Sequence, residues 1–298
     1  MSSDFVTGTP LPVTDAVVGN DGAFYFAVGG RGTQSALYRV TYVGKESTAP
    51  VSGHDTVGDE ARALRQRLES YHGRTGGDID FIASQLGHAD RFIRFAARVA
   101  LENQPVDEWR SKALAQSQPT AIINAMLALA RQGKPADQDA ILNQLSMLKM
   151  EDLSSTDQLA WLRAFQLAFT RLGEPSDAWR MKLTDRFESH YPASNYPLNA
   201  ELVQLLVYLR SPSVIAKTLD IIDKLGPEPK PDWGYLIERN AGYGGTVGKM
   251  LADMPPSRGI HFAFMLRNAK SGWTLEQRQK YFQFFIDAAK HPGGNSCR

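Results

Sequence analysis

Gly87-His88-Ala89-Asp90-Arg91-Phe92-Ile93-Arg94-Phe95-Ala96-Ala97-Arg98-Val99-Ala100-Leu101 is the stretch that decides the fold. Asp90 stands where a helix start needs a side-chain acceptor for its unpaired amides. Ile93, Ala97, Ala100 and Leu101 then fall on one face, with Arg91, Arg94 and Arg98 on another. The alanines leave room for a neighbouring helix to approach closely. The spacing predicts an amphipathic helix whose apolar stripe is buried against other helices.

The pattern recurs toward the C-terminus. Gln118-Pro119 opens a predicted helix with Ile122, Ala125, Met126, Ala128 and Leu129 inside and Gly133 at its end. Ser211-Pro212-Ser213 opens another, with Val214, Leu219, Ile222 and Leu225 inside and Gly226 closing it. Pro just inside a start and Gly past an end is the expected asymmetry. Ser155 to Leu172 and Ser176 to His190 lie between them. Ser155 with Gln158 reads as a capping box, and Leu162, Phe165, Phe169 and Leu172 form a stripe at helical spacing. Ile260 to Ala269 and Thr274 to Ala289 are further helices. Thr274 and Gln277 form a capping box in the last, and Tyr281, Phe282, Phe285 and Ile286 form its large apolar face. Lys230 to Pro255, with Gly234, Gly242, Gly244, Gly245 and Gly248, reads as partly loop. The helices pair at intervals of about 30 to 40 residues, which is the α-solenoid range.

The Asp90, Ile93-Arg94, Ala97 and Ala100-Leu101 pattern resembles the second helix of a HEAT repeat. That resemblance implies a mostly α fold, a HEAT-like α-α superhelix. It also implies that Asp90 and Arg94 form rungs of a polar ladder between repeats.

The N-terminal quarter has a different period. Pro12 to Val18, Ala23 to Val28 and Ala36 to Val43 read as three short strands. Gly19-Asn20-Asp21-Gly22 supplies a tight turn, because Asn, Asp and Gly tolerate positive φ. Gly29-Gly30-Arg31-Gly32 supplies a wider one. A small antiparallel segment of this kind suits a propeller blade and would be marginal alone. The expected organisation is a residual blade over 1–43, a polar linker over 44–57 and a helical-repeat domain over 58–298.

Composition excludes several classes. The chain has 298 residues, 43% hydrophobic and 22% charged, with a formal charge of +1. No Lys/Arg block marks a nucleic-acid binder. No apolar run approaches the roughly 20 residues of a membrane span. The start, MSSDFVTGTPLP, lacks the basic and apolar regions of a secretory signal. With Cys297 as the only cysteine, neither an intrachain disulfide nor a Cys-x-x-Cys site can form.

Candidate motifs resolve into structural roles. Gly242 to Met250 looks like a phosphate-binding loop, but Tyr243 stands where a glycine belongs and Met250 where a Ser or Thr must meet the metal. It reads instead as a loop between helices. No helix follows the Gly29–Gly32 loop to make it a phosphate cradle. The six histidines, His54, His72, His88, His190, His261 and His291, show no zinc spacing. His88 reads as local turn chemistry and His261 as a satisfied, half-buried residue. Asp59-Glu60, Glu151-Asp152 and Asp220 with Asp223 sit on ordinary polar helix faces or ends. Trp109, Trp161, Trp179, Trp233 and Trp273 read as core and inter-repeat packing rather than a sugar platform. No catalytic, cofactor-binding or metal-binding residue is assigned in this chain.

A longer resemblance follows from these residues. Asp21 to Ala23, Gly29 to Ser35 and Leu37 to Tyr42 look like the final blade of a sorbosone/glucose dehydrogenase-type propeller. Leu86 to Arg94, Leu198 to Leu202 and Ser271 to Arg278 look like the helical middle of the same large bacterial membrane-bound dehydrogenases. The resemblance covers Thr14 to about Asn295. It implies a parent with a propeller, a HEAT-like array and a C-terminal c-type cytochrome domain, exported to the periplasm or cell envelope. Haem c or a quinone would belong to that parent, and this chain's partners would be its propeller and cytochrome domains. The chain itself would be a non-catalytic scaffold. The alternatives are a fragment of a quinone- or metal-dependent sugar dehydrogenase whose site lies in other blades, and a free-standing HEAT-like interaction module.

Overall fold

The computed structural model describes residues 4–8, 11–30, 33–47, 49, 56–226, 228, 232–234, 237 and 241–291. The protein is mostly helical with a small three-stranded antiparallel sheet. Its internal contacts divide it into two units. One comprises Met1–Asp55, Pro229–Pro255 and His291–Arg298, the other Thr56–Glu228 and Pro256–Lys290.

In the first unit, β1 (Val13–Val18), β2 (Phe24–Gly30) and β3 (Thr33–Val40) form a meander in the order β1-β2-β3. The third strand starts earlier than expected because Gly30 pairs with Thr33. Arg31 and Gly32 of that loop lie outside the described residues. Gly22 takes φ 77° in the first turn, a conformation that favours glycine. Asp21 fastens this turn to the far strand. Its Oδ2 accepts from Arg39 Nη2 at 2.9 Å and from the Tyr25 hydroxyl at 2.9 Å, and its Oδ1 accepts from the Ala23 amide at 3.2 Å. The sheet buries Phe26 and Val28, and Phe26 stacks on Tyr38 at 4.9 Å. Every residue of β1 is exposed, and so is Leu37. Three strands leave apolar surface uncovered.

The second unit opens with α1 (Asp59–Glu69) and α2 (Ile79–Ser84), followed by α3 (Arg91–Glu102), the predicted helix. The Asp90 carboxylate accepts from the Phe92 amide at 2.7 Å, and Ile93, Ala96, Ala97, Ala100 and Leu101 are buried. Then come α4 (Val106–Leu114), α5 (Pro119–Gln132), α6 (Gln138–Met147), α7 (Ser155–Leu172), α8 (Asp177–Glu188), α9 (Tyr196–Tyr208) and α10 (Val214–Lys224). In α5, Gln118 caps the Ala121 amide at 2.7 Å and Pro119 occupies the first turn. The cap of α7 is Ser154, not Ser155. Its Oγ accepts from the Asp157 amide at 3.1 Å and donates to the Asp157 carboxylate at 3.0 Å. The extended backbone of Ser154, φ −59° and ψ 155°, is what puts its hydroxyl over the first turn. Gln158 instead donates to the Met150 carbonyl at 2.9 Å.

Between α10 and the last two helices, the first unit contributes α11 (Ala241–Ala252). The Gly242 to Met250 segment read as loop is therefore helical. Gly244 lies so close to the Ile237 carbonyl that a Cβ would clash with it. The second unit ends with α12 (Ser257–Leu266) and α13 (Leu275–Ala288). The Thr274–Gln277 capping box closes both ways, at 3.1 and 3.0 Å. The apolar face of α13 is largely uncovered: Phe282 is 62% and Ile286 61% exposed. Tyr281 and Phe284 pack partly against the core.

Helices of the second unit contact each other in alternation. α1 packs on α3, α3 on α5, α5 on α7, α7 on α9 and α9 on α12, while α2 packs on α4, α4 on α6 and α10 on α13. A set of polar side chains joins helices 27 to 40 residues apart. Gln104 donates to the Arg74 carbonyl, Asn124 to Leu86, Gln144 to Leu114, Gln138 to Gly173 and Arg186 to Ser146. Each satisfies a loop or helix-end carbonyl that would otherwise lose its water on burial.

Two outcomes are expected. Ile93→Asp puts an unpaired charge among the buried faces of α3 and its neighbours, costing about 3–5 kcal/mol. Its helical circular-dichroism signal should therefore melt well below that of the wild type. At Asp21, the Arg39 guanidinium, then the Tyr25 hydroxyl and the Ala23 amide, hold the carboxyl at about 2, down from 3.8. Because the folded value is depressed, its stabilisation is complete above about 3.8 and is lost as pH falls toward 2. An NMR titration should give a midpoint near 2 for Asp21 that returns toward 3.8 in Arg39→Ala.

Candidate functional site

The arginine face of α3 forms one wall of a groove of about 660 Å³ that continues over α5 and α7. Arg91, Phe92, Arg94, Phe95 and Arg98 come from α3, Thr120 and Asn124 from α5, and Asp157 and Arg163 from α7. These side chains are the leftovers of burial. In α5 the residues at 121–123, 125, 126 and 128–130 are buried, so Thr120, Asn124, Leu127 and Arg131 are the strip that faces outward. Phe92 and Phe95 are 54% and 58% exposed. Arg91 lies over the Phe92 ring at 4.7 Å and Arg98 over the Phe95 ring at 5.1 Å.

Asp90 and Arg94 act within one helix start. Asp90 is the cap described above, and Arg94 Nη1 donates to the carbonyls of His88 and Ala89 at 2.6 and 2.8 Å. The link between α3 and α5 is made by Glu102. It pairs with Arg98 one turn earlier and with Arg131 Nε at 2.8 Å. Between α7 and α9 the same part is taken by Glu201, which pairs with Arg163 at 2.7 Å and accepts from Gln166 at 2.9 Å. Glu102 is the only acid of α3 and Glu201 the only charged residue of α9, but the sequence does not show that their partners lie on neighbouring helices.

A second cavity, of about 710 Å³, lies at the ends of α9 and α12 and is lined by Tyr208, Arg210, Ile215, Met265, Asn268 and Lys270. Arg210 has φ 62°. The Tyr208 ring stacks on Phe169 at 5.2 Å, and its hydroxyl is pushed up by burial and by Glu174, against Arg180 and Arg210.

The remaining sequence candidates are placed as follows. His88 Nδ1 accepts from the Asp90 amide at 2.9 Å, the expected turn chemistry. His261 is half-buried, and its Nδ1 lies 2.8 Å from the Tyr196 hydroxyl. Burial, then Glu228, raise the Tyr196 hydroxyl, against Arg258. Asp220 pairs with Lys224 at 2.7 Å, and Asp223 pairs with Lys280. Asp59 meets Arg62 at 2.5 Å. Trp109 and Trp161 are fully buried and donate to the carbonyls of Gln104 and Leu145 at 3.1 and 2.8 Å. Trp273 packs partly against the core, while Trp233 is 39% exposed. Gly242 to Met250 lies in α11, where the amides beyond the first turn are committed to helix bonding, rather than in a strand-to-helix loop. His54 and Cys297 lie outside the described residues.

Among the described residues, no three His, Cys, Asp or Glu side chains gather as a metal site. No described helix is long and apolar enough to cross a membrane. The chain matches no protein family, and no curated protein or solved structure is significantly similar to it.

Glu102→Gln should test the link between α3 and α5. It leaves two guanidiniums sharing a neutral amide at a site where the glutamate side chain is only 6% exposed. A loss of about 1–3 kcal/mol is expected, read as a lower urea midpoint at unchanged slope.

Proposed function

We propose that this chain is a non-catalytic scaffold, a HEAT-like solenoid that docks neighbouring domains of a larger exported redox protein. The observation that carries the reading is the alternate-helix packing, with polar links between helices 27 to 40 residues apart. That separation fits the period read from the sequence, and nearest-neighbour contact is the habit of repeat proteins. The uncovered apolar rows of β1 and α13 support a setting in which further structure packs on them. In this reading the β1–β3 meander is a propeller blade, and the protein works in the periplasm or at the cell envelope.

The partners in this reading are the adjoining propeller and cytochrome domains. Haem c attachment needs two thiols and a histidine in Cys-x-x-Cys-His, and this chain has a single cysteine. Its residues therefore do not fit that group, and any haem or quinone is assigned to other parts of the parent.

Sequencing the DNA on both sides of the reading frame tests the proposal. In-frame propeller blades upstream and a Cys-x-x-Cys-His downstream are the expected result. Stop codons on both sides of a functional start would overturn the redox parent and leave a free-standing interaction module.

A further inference from the structure

We propose that the groove over α3, α5 and α7 binds an acidic peptide segment of a partner protein, anchored by a large apolar side chain. This deepens the docking reading above and rests on it.

Charge complementarity carries the inference. Among the described residues Arg91 has no ion pair, and Arg94 is held by the carbonyl oxygens of His88 and Ala89. Arg98 and Arg131 share one carboxylate, that of Glu102. The two acids that link the helices are sunk beneath arginines that stand higher. The Glu102 side chain is 6% exposed beneath an Arg131 that is 49% exposed, and Glu201 is 14% exposed beneath an Arg163 that is 63% exposed. In the lining of the groove guanidiniums outnumber carboxylates four to one, Arg91, Arg94, Arg98 and Arg163 against Asp157. Arginine forks match carboxylates in paired geometry.

The two exposed phenylalanines define the rest of the occupant. Single exposed apolar residues are ordinary. Here two large rings stand one turn apart beside a concave site, which suits a buried apolar anchor within a charged rim. Single-stranded nucleic acid also uses cations and aromatic faces. In this groove, however, guanidiniums already lie over the Phe92 and Phe95 rings, so those faces are not open to bases. An apolar side chain needs only the exposed ring edges.

The test uses the full chain and fluorescence anisotropy. The probe is a labelled peptide of Asp and Glu interrupted by Phe and Leu. The controls are the same peptide with Ser replacing every acid, and an oligothymidylate. The acidic peptide should bind, and binding should weaken with salt. Arg91→Glu and Phe95→Ala should each weaken it about tenfold, with circular dichroism unchanged, while Lys224→Glu on α10 leaves it as it was. Arg91→Gln carries the same test should the charge reversal unfold the chain. Equal binding of the serine peptide, indifference to both groove variants, or tighter binding of the oligothymidylate at the same residues would each overturn the proposal. Failure here alongside in-frame redox domains would remove the occupant and keep the scaffold. Stop codons alongside intact peptide binding would do the reverse.

Discussion

The second unit depends on one constraint: its middle helices must bury two sides at once. α5 touches α3 on one side and α7 on the other, and it also contacts α4 and α6. Its sequence meets that demand with small and aliphatic residues nearly all the way round. A helix that is apolar on most faces is stable only inside an assembly. Alanines at Ala121, Ala125 and Ala128 let backbones come close, so contact is gained without large side chains. α7 solves the same problem with bulk. Its Trp161 and Phe165 meet Phe187 of α8 edge to face at 5.2 to 5.7 Å, an arrangement favoured by the ring quadrupoles.

Burial on two sides has a consequence for the surface. What remains outside is one narrow strip per helix, and the strips of α3, α5 and α7 lie side by side. The groove is thus a by-product of packing, and its chemistry is set by whichever residues each strip carries. The ends differ. Val13, Val17 and Val18 of β1 and Phe282 and Ile286 of α13 are exposed, and at those places the sheet and helical patterns are satisfied locally but only partly in tertiary packing.

The sequence made the long helices legible because their stripes are strong and their caps are side chains. α3 is the clearest case: Asp90 starts it and Ile93, Ala97, Ala100 and Leu101 turn inward as the period requires. α4 and α6 were not legible. Pro105 gives α4 no side-chain cap, and α6 grows out of a short 3₁₀ turn at Pro135–Asp137. Adjacent serines hid the start of α7, since composition alone does not say which hydroxyl faces the first turn. The helix at Ala241–Ala252 ran against propensity, with Gly242, Gly244, Gly245 and Gly248 each costing about 1 kcal/mol relative to Ala. The groove was invisible for another reason. Arg91 and Arg163 line one groove only because α5 is packed between α3 and α7.

The links between helices also explain how a chain of nearly zero net charge shows a basic face. A carboxylate taken out of water needs several donors to remain charged. Glu102 obtains them from two arginines and Glu201 from an arginine and a glutamine. Arginine suits this place because its fork can reach a sunken carboxylate while the rest of the guanidinium stays in water. Lysine would reach as a single point and leave the second oxygen without its partner. Every such link therefore hides a negative charge under a positive one. Arg98 and Arg163 thus belong both to the links between helices and to the lining of the groove, so alignment of the helices and the charge of this face share two side chains.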